Sequence, residues 1–583
     1  MSQLNKKKIS PSINPAPFGL GVSGNGNIQP LKGPQHILFE TVVSTLYGKD
    51  SFYETGNETV ARMKTALTSV INTHGLKGAE YAGRVALFAR EHMYIRTMPI
   101  VMVVELAKIM QDRSAHTASA INELDNLIKL NFPAKINIGL LGTFYDGNSA
   151  LKNGSVYQVL TVDEMKVLRQ SLAISPPVYK IRELVKGVIS RADELTDLYA
   201  YAITVFGDSK KIPMGLKRGV ADAFNKFDAY QLGKYNRSEG LTLKNLLRIV
   251  HPVPAGESNS AIFKKIMDES LESPYTWEVE LSKNGQLGAQ KMSNKDLWTQ
   301  LITREGSGSL GYMALLRNLR NMKEAGIDDA TWKLVASKIS NPKAVEKSKQ
   351  LPFGFINAYD IAKESGVPGI VLNALQDATE QSLKNMPKLG DRVWIILDCS
   401  GSMNNFAYSA GAKPTTNSPI KIGAIFGAAL VKASAASFEC KFTMFDDYAK
   451  FVDLNPRDSI FTLYEKIMKR NAGGGTNLAS ALAVKSDLGF EPDTVIILSD
   501  MEVNRLNGDS VDKIFKGNTV KVAINLNGRD TTPLSEVRGW TQLSGWSPRI
   551  FQFVKFSRDS DSIVKQLFDG GKIPLSGEVV EED

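Results

Sequence analysis

Asp398, Ser400 and Ser402 fall on alternate residues in WIILDCSGSM, directly after four apolar residues that read as a buried strand. A carboxylate and two hydroxyls at one strand end are hard oxygen donors, the ligand class that Mg2+ and similar divalent cations prefer. Gly401, between the two serines, permits the tight bend such a loop needs. Two later residues extend the donor set: Thr476 follows three glycines in NAGGGTNLAS, and Asp500 ends VIILSD in the same strand-end position as Asp398. Five such donors leave room in an octahedral shell for water and for an incoming carboxylate or phosphate. Any one of them alone reads equally well as a helix cap or a hydroxyl bonded to backbone. The set as a whole points to a cation. Asp446, Asp447 and Glu502 also stand near strand ends, and read either as a solvated acidic edge or as partners of metal-bound water.

Other chemistries have less to work with. The five histidines, His36, His74, His92, His116 and His251, show neither metal-ligand spacing nor a cysteine partner, which leaves a hydrolase or deaminase site unsupported. Cys399 has no nearby histidine to activate it and reads as a buried structural thiol. Gly19–Gly24 and Gly306–Gly311 both spell the dinucleotide glycine pattern, but neither follows a strand and opens a helix. A single cation site without a second metal's carboxylates or a general base is thin equipment for phosphodiester cleavage, so no enzyme is expected.

The cations of the chain offer a different chemistry. Of 70 basic and 61 acidic residues, 22 and 24 lie from Asp391 onward, so the first 390 residues carry +11 and the remainder −2. A field of that sign favours a polyanion or an acidic surface. Lys217, Arg218, Lys234, Tyr235, Arg237, Lys244, Arg248 and His251 form a cationic stripe with an aromatic ring and an imidazole, the equipment for holding a nucleic-acid backbone with occasional base stacking. Arg84, Arg90 and Arg96, near Tyr81 and Tyr94, and Arg317, Arg320 and Lys323, near Tyr312, are a second group that could face a central opening. For any one basic helix a solvated face is the competing reading, and for the second group pairing with Glu91 or Glu105 is another.

The elements that must position these residues change character along the chain. Residues 33 to about 385 read as helix after helix, with apolar residues three and four apart in VARMKTALTSVINTHG, GAEYAGRVALFAREHMYI, GLKRGVADAFNKF, TLKNLLRIV and LGYMALLRNLRNMKEAG. Short loops between such helices suggest pairs stacked as an α-solenoid. After NMPKLGD, the segments RVWIILD, CKFTMFD, DTVIILSD, VKVAINL and RIFQFVKF read as short strands, with helical stretches such as SPIKIGAIFGAALVKASAAS and DSIFTLYEKIMK between them. That alternation predicts a parallel α/β sheet covered on both faces, with ligands beyond the carboxyl ends of its strands. The expected division is a basic Gly/Pro-rich tail over 1–32 that includes Lys6 to Lys8, a helical domain over 33–385 and an α/β domain over 386–583. Two cysteines give no disulfide framework, no basic-plus-apolar leader opens the chain, and the apolar patch from Met98 is interrupted by Glu105. A cytoplasmic protein without a membrane partner is expected.

FAREHMYIRTMPI, LKRGVADAFNKF, LGKYNRSEGLTLKNLLRIVHP, WTQLITREGSGSLGYMALLRNLRNM and LPFGFINAYDIA, joined to IILDCSGSM, GGGTN and ILSD, resemble the Ro ribonucleoprotein autoantigens. In that family a TROVE module precedes a von Willebrand factor A domain. The resemblance covers nearly the whole chain from about Gly33. It implies HEAT-like helices closed into a ring, small noncoding RNA of the Y type held on the outer surface, and single-stranded ends of misfolded RNA in a positively charged central cavity. The stripe from Lys217 to His251 matches the outer-surface region, and the metal-ion-dependent adhesion site keeps all five oxygen ligands. The resemblance further implies a role in RNA quality control, a monomeric protein and, as in bacterial members, polynucleotide phosphorylase as an exoribonuclease partner. The polar loop between Met403 and Lys421 departs from the commoner pattern. A protein-interaction module that captures a carboxylate through Mg2+, with its basic face serving acidic proteins, is the competing function.

Overall fold

The computed structural model describes residues 33–44, 56–137, 157–173, 180–236, 240–272, 274–288, 291–306, 309–404, 418–469, 473–502, 514–515, 519–526, 540–544 and 550–570. The 1–32 tail, Arg237 and residues 405–417 of the polar loop lie outside them. The helical reading of the first part holds, and the helices are bounded by local chemistry. Asp228 and Gln231 form a reciprocal capping box ahead of the Ala229–Lys234 helix. Thr242 caps the Leu243–Val250 helix through the Asn245 amide, and Asp328 caps Asp329–Ile339 through that of Thr331. The two helical segments read between Val60 and His92 are two helices within Gly56–Glu91, parted at Gly75, whose φ of 55° and ψ of −129° are not helical. A short antiparallel hairpin of β1 (Ala134–Asn137) and β2 (Tyr157–Leu160), which the helical pattern did not suggest, interrupts the series.

Two compact units emerge, and they do not divide at the change of sequence pattern near residue 385. One gathers Asn57–Ser273 with the first helix and the last; the other runs from Pro274 to Arg558. In the first unit, the Ile181–Val188 and Met214–Phe224 helices cross closely because Gly219 has no side chain: a Cβ there would lie 2.6 Å from Val185 Cβ. The Ser560–Asp569 helix packs on the Pro34–Ser44 and Gly56–Glu91 helices. Its last carbonyls, which have no partner inside the helix, accept from Arg84: Nε reaches Leu567 O at 2.5 Å and Nη2 reaches Phe568 O at 3.2 Å. Phe568 lies edge-on to His74, and His36 pairs with Asp561 at 3.2 Å.

The second unit combines the helices from Trp277 to Ser382 with a six-stranded sheet. Its strands are β3 (Arg392–Asp398), β4 (Glu439–Phe445), β5 (Ala449–Phe451), β6 (Thr494–Ser499), β7 (Val520–Asn525) and β8 (Trp540–Ser544), in the order β5-β4-β3-β6-β7-β8. All neighbours are parallel except β5, which turns back antiparallel on β4. The central strands β3 and β6 are almost wholly buried, as their unbroken apolar runs require. The Pro419–Ser437 helix approaches β4 at Gly427, where a Cβ would strike the Phe442 ring. One strand expectation fails: RIFQFVKF forms the helix Ile550–Arg558. Its apolar residues fit both periods, and packing decides between them. Phe551 and Val554 bury one turn apart, as do Phe553 and Phe556, and Phe551 stacks on Phe426 at 4.4 Å while also meeting Phe353.

Candidate metal centre and basic faces

Parallel pairing of β3 with β6 matches Leu397 to Leu498, so Asp398 stands opposite Ser499 and Asp500 is the next residue out. Asp398 and Asp500 are completely buried, and Ser400 and Thr476 nearly so, whereas Ser402 is half-exposed. The Ser400 amide donates to Asp398 Oδ1 at 2.8 Å, and the Ser400 and Ser402 hydroxyls lie 3.1 Å apart. Gly401 N donates to Gly474 O at 3.1 Å, tying the serine loop to the triple-glycine loop that carries Thr476. Gly474 has a φ of 126°, open in practice only to glycine. Burial, and then the neighbouring Asp500 charge, push the Asp398 carboxyl up to about 6, against hydrogen bonds from Ser400 and Ser499. One Asp500 oxygen accepts the Glu502 amide at 3.2 Å; the other is buried with no hydrogen-bond partner among the described residues. Two buried carboxylates, one with an orphaned oxygen, beside three hydroxyls are a donor set that a hard cation satisfies.

Asp446 and Asp447 are not merely a solvated edge. Asp447 Oδ2 accepts the Gly475 amide at 3.2 Å, and Asp446 O accepts the Asn477 amide at 2.8 Å, so this turn shapes the loop carrying Thr476. Cys399 is buried, its thiol directed to Phe445 O, in keeping with a structural role. Ser499 was missed by the sequence reading. The available signal was a lone hydroxyl ending an otherwise apolar strand, just before an aspartate.

The first unit carries the basic stripe. Lys217 and Arg218 lie on the Met214–Phe224 helix, which packs against the Leu243–Val250 helix bearing Lys244 and Arg248. Arg218, Lys234, Arg248 and His251 are exposed; Lys217, Tyr235 and Lys244 are half-buried. Lys244 pairs with Glu269 at 2.7 Å, and His251 ends its helix in the left-handed region at a φ of 46°. Tyr235 sits between two cations, with Arg191 at 4.8 Å and Lys234 at 5.8 Å from its ring centre. Arg191, bound in turn to Asp193, was absent from the sequence-derived set.

The second basic group is divided between the two units. Arg84, Arg90 and Arg96 belong to the first unit, and Arg317, Arg320 and Lys323 to the second. Arg90 is only 8% exposed. Its guanidinium is committed to Glu194 at 2.5 Å, Ser190 at 2.7 Å and the carbonyls of Ile95 and Arg96, which makes it a buried corner post rather than a surface cation. Arg96, half-exposed, reaches Asp193 at 3.4 Å and Glu194 at 3.5 Å. These partners replace the anticipated Glu91 and Glu105; Glu105 instead receives Lys64 and Tyr201. Arg84 is committed to the last helix, whereas Arg317, Arg320 and Lys323 remain exposed, with Arg320 beside Glu324 at 3.5 Å.

Known proteins share both the mostly helical fold with its mixed α/β region and one stretch of the sequence. Residues 264–368 match the TROVE domain. Its fold is similar to that of the RO (RSR) protein of Deinococcus radiodurans, with a TM-score of 0.50 and 18% identity over 68% of this chain and 87% of that one. Telomerase protein component 1 of Rattus norvegicus and of Mus musculus is 39% identical to it over 90 residues, 15% of this chain. The match spans only 3% of the length of those relatives. Among the described residues no helix is long and apolar enough to cross a membrane.

Proposed function

We propose that the protein is a non-catalytic RNA-binding scaffold. On this reading a structured small RNA of the Y type lies on the Lys217–His251 face. The helices close into a ring whose cavity takes the single-stranded 3′ end of a misfolded RNA, and an exoribonuclease such as polynucleotide phosphorylase is the partner that processes it. The observation that carries the proposal is the pair of packed basic helices, Met214–Phe224 and Leu243–Val250, in a chain that contains a TROVE domain. Four exposed or half-exposed cations on those helices, with Tyr235 nearby, suit phosphate contacts beside a stacking ring. Asp398, Ser400, Ser402, Thr476 and Asp500 would hold a divalent cation such as Mg2+, directly or through water, and the ion would supply positive charge for a partner's carboxylate or phosphate.

Purified protein is expected to carry RNA, read as a high 260 to 280 nm absorbance ratio that ribonuclease removes. A hairpin with an unpaired 3′ extension should outcompete its blunt counterpart at equal salt, since a narrow cationic opening admits a flexible strand more readily than a stiff duplex. Equal competition sinks the cavity while leaving the outer face standing. Absence of any RNA affinity favours the second reading, a metal-dependent module for acidic partners, which is motivated by the orphaned Asp500 oxygen beside the half-exposed Ser402.

A further inference from the structure

We propose that Ser499 is a positioning residue whose single hydroxyl sets both carboxylates of the metal centre; the inference rests on the reading of that edge as a cation site. Ser499 is completely buried at the end of β6, opposite Asp398. Its Oγ accepts the Met501 amide at 2.9 Å, so its own proton is left for Asp398 Oδ2, 2.5 Å away. With the Ser400 amide on Oδ1, both oxygens of Asp398 are then held by fixed donors, which sets the direction in which the carboxylate faces a cation or its water.

The second half of the role lies in the turn that follows. Met501 is buried and holds a φ of 61°, a conformation that costs a non-glycine residue energy and persists only where its surroundings enforce it. The bond from its amide to Ser499 Oγ is one such constraint, and the turn it fixes brings the Glu502 amide to Asp500 Oδ1 while Oδ2 has no partner among the described residues. One hydroxyl therefore orients Asp398 by donating and stabilises the backbone that aims Asp500 by accepting. Removing it leaves a buried carboxylate oxygen short of a donor and a buried amide without an acceptor. Groups that orient metal ligands in this way typically contribute about 10- to 100-fold in metal affinity.

The test is calorimetric titration of Mn2+ into the full chain, alongside thermal melting of the metal-free protein. Ser499→Ala should weaken Mn2+ binding by about 10- to 100-fold without changing the stoichiometry. Ser499→Thr, which keeps the hydroxyl, should bind within about threefold of wild type. Should the alanine protein not fold, Ser499→Cys retains the volume and exchanges a strong donor for a weak one, and the same weakening is expected. A lower melting temperature in Ser499→Ala with unchanged Mn2+ affinity would reduce Ser499 to a packing residue and overturn the proposal. So would a threonine protein that folds yet binds as weakly as alanine. A wild-type chain that takes up no Mn2+ removes the metal centre itself, an outcome distinct from either.

Discussion

A buried carboxylate oxygen without a donor is expensive, and among the described residues Asp500 Oδ2 has none, a strand away from the fully buried Asp398. Burial first, and then repulsion from the Asp500 charge on the adjacent strand, push the Asp398 carboxyl up to about 6. A divalent cation removes both penalties, so the residues of this edge are better matched to a bound ion than to each other. Asp398→Ala is therefore expected to abolish the heat of Mg2+ or Mn2+ titration while leaving RNA affinity unchanged, because every candidate RNA contact of the stripe lies in the other compact unit. Titrations equal to wild type would remove the site.

Among the elements, the corner between the Gly56–Glu91 and Thr97–Leu130 helices shows how a cation is diverted from surface to framework. Arg90 closes that corner by holding the carbonyls of Ile95 and Arg96, and it neutralises the buried Glu194, which also accepts the Ser190 and Arg191 amides. Breaking a buried pair by deleting one partner leaves an uncompensated charge and costs about 3–5 kcal/mol. Arg90→Met should lower unfolding stability by about that amount in urea and leave the salt dependence of RNA binding unaltered. A near-neutral stability change would return Arg90 to the list of available cations. Arg191, by contrast, links this corner to Tyr235 through its contact with Asp193. The ring on the basic stripe is thus anchored from beneath by the same acidic residues.

Across the whole molecule, charge is unevenly shared: +11 over the first 390 residues and −2 over the rest. Such a field steers a polyanion toward the helical part, and its contribution must weaken as salt rises. Neutralising Lys217, Arg218, Lys234, Lys244 and Arg248 together should reduce the slope of log affinity against log salt by about 0.7–0.9 for each phosphate contact removed, similarly for RNAs of different sequence. Lys244 should count least, since Glu269 already competes for it. An unchanged slope in filter-binding or anisotropy titrations would move the RNA to another face.

The sequence by itself determined what depends on local pattern. Apolar spacing specified the helices, unbroken runs specified β3 and β6, and the ends of those runs placed Asp398 and Asp500 at the carboxyl edge of the sheet, because a strand-end residue is presented there wherever the strand goes. Tertiary structure alone decided what depends on neighbours remote in the chain. Phe551 is compatible with either period until Phe353 and Phe426 are packed beside it. Ser499 acquires its role only through register, which sets it opposite a residue about a hundred positions earlier. Arg90 and Arg317 look alike as letters in a basic region; one is consumed by Glu194, 104 residues away, and the other stays in solvent. A cation's partner is chosen by three-dimensional proximity, and burial then sets the strength of the pair, so neither can be read from spacing along the chain.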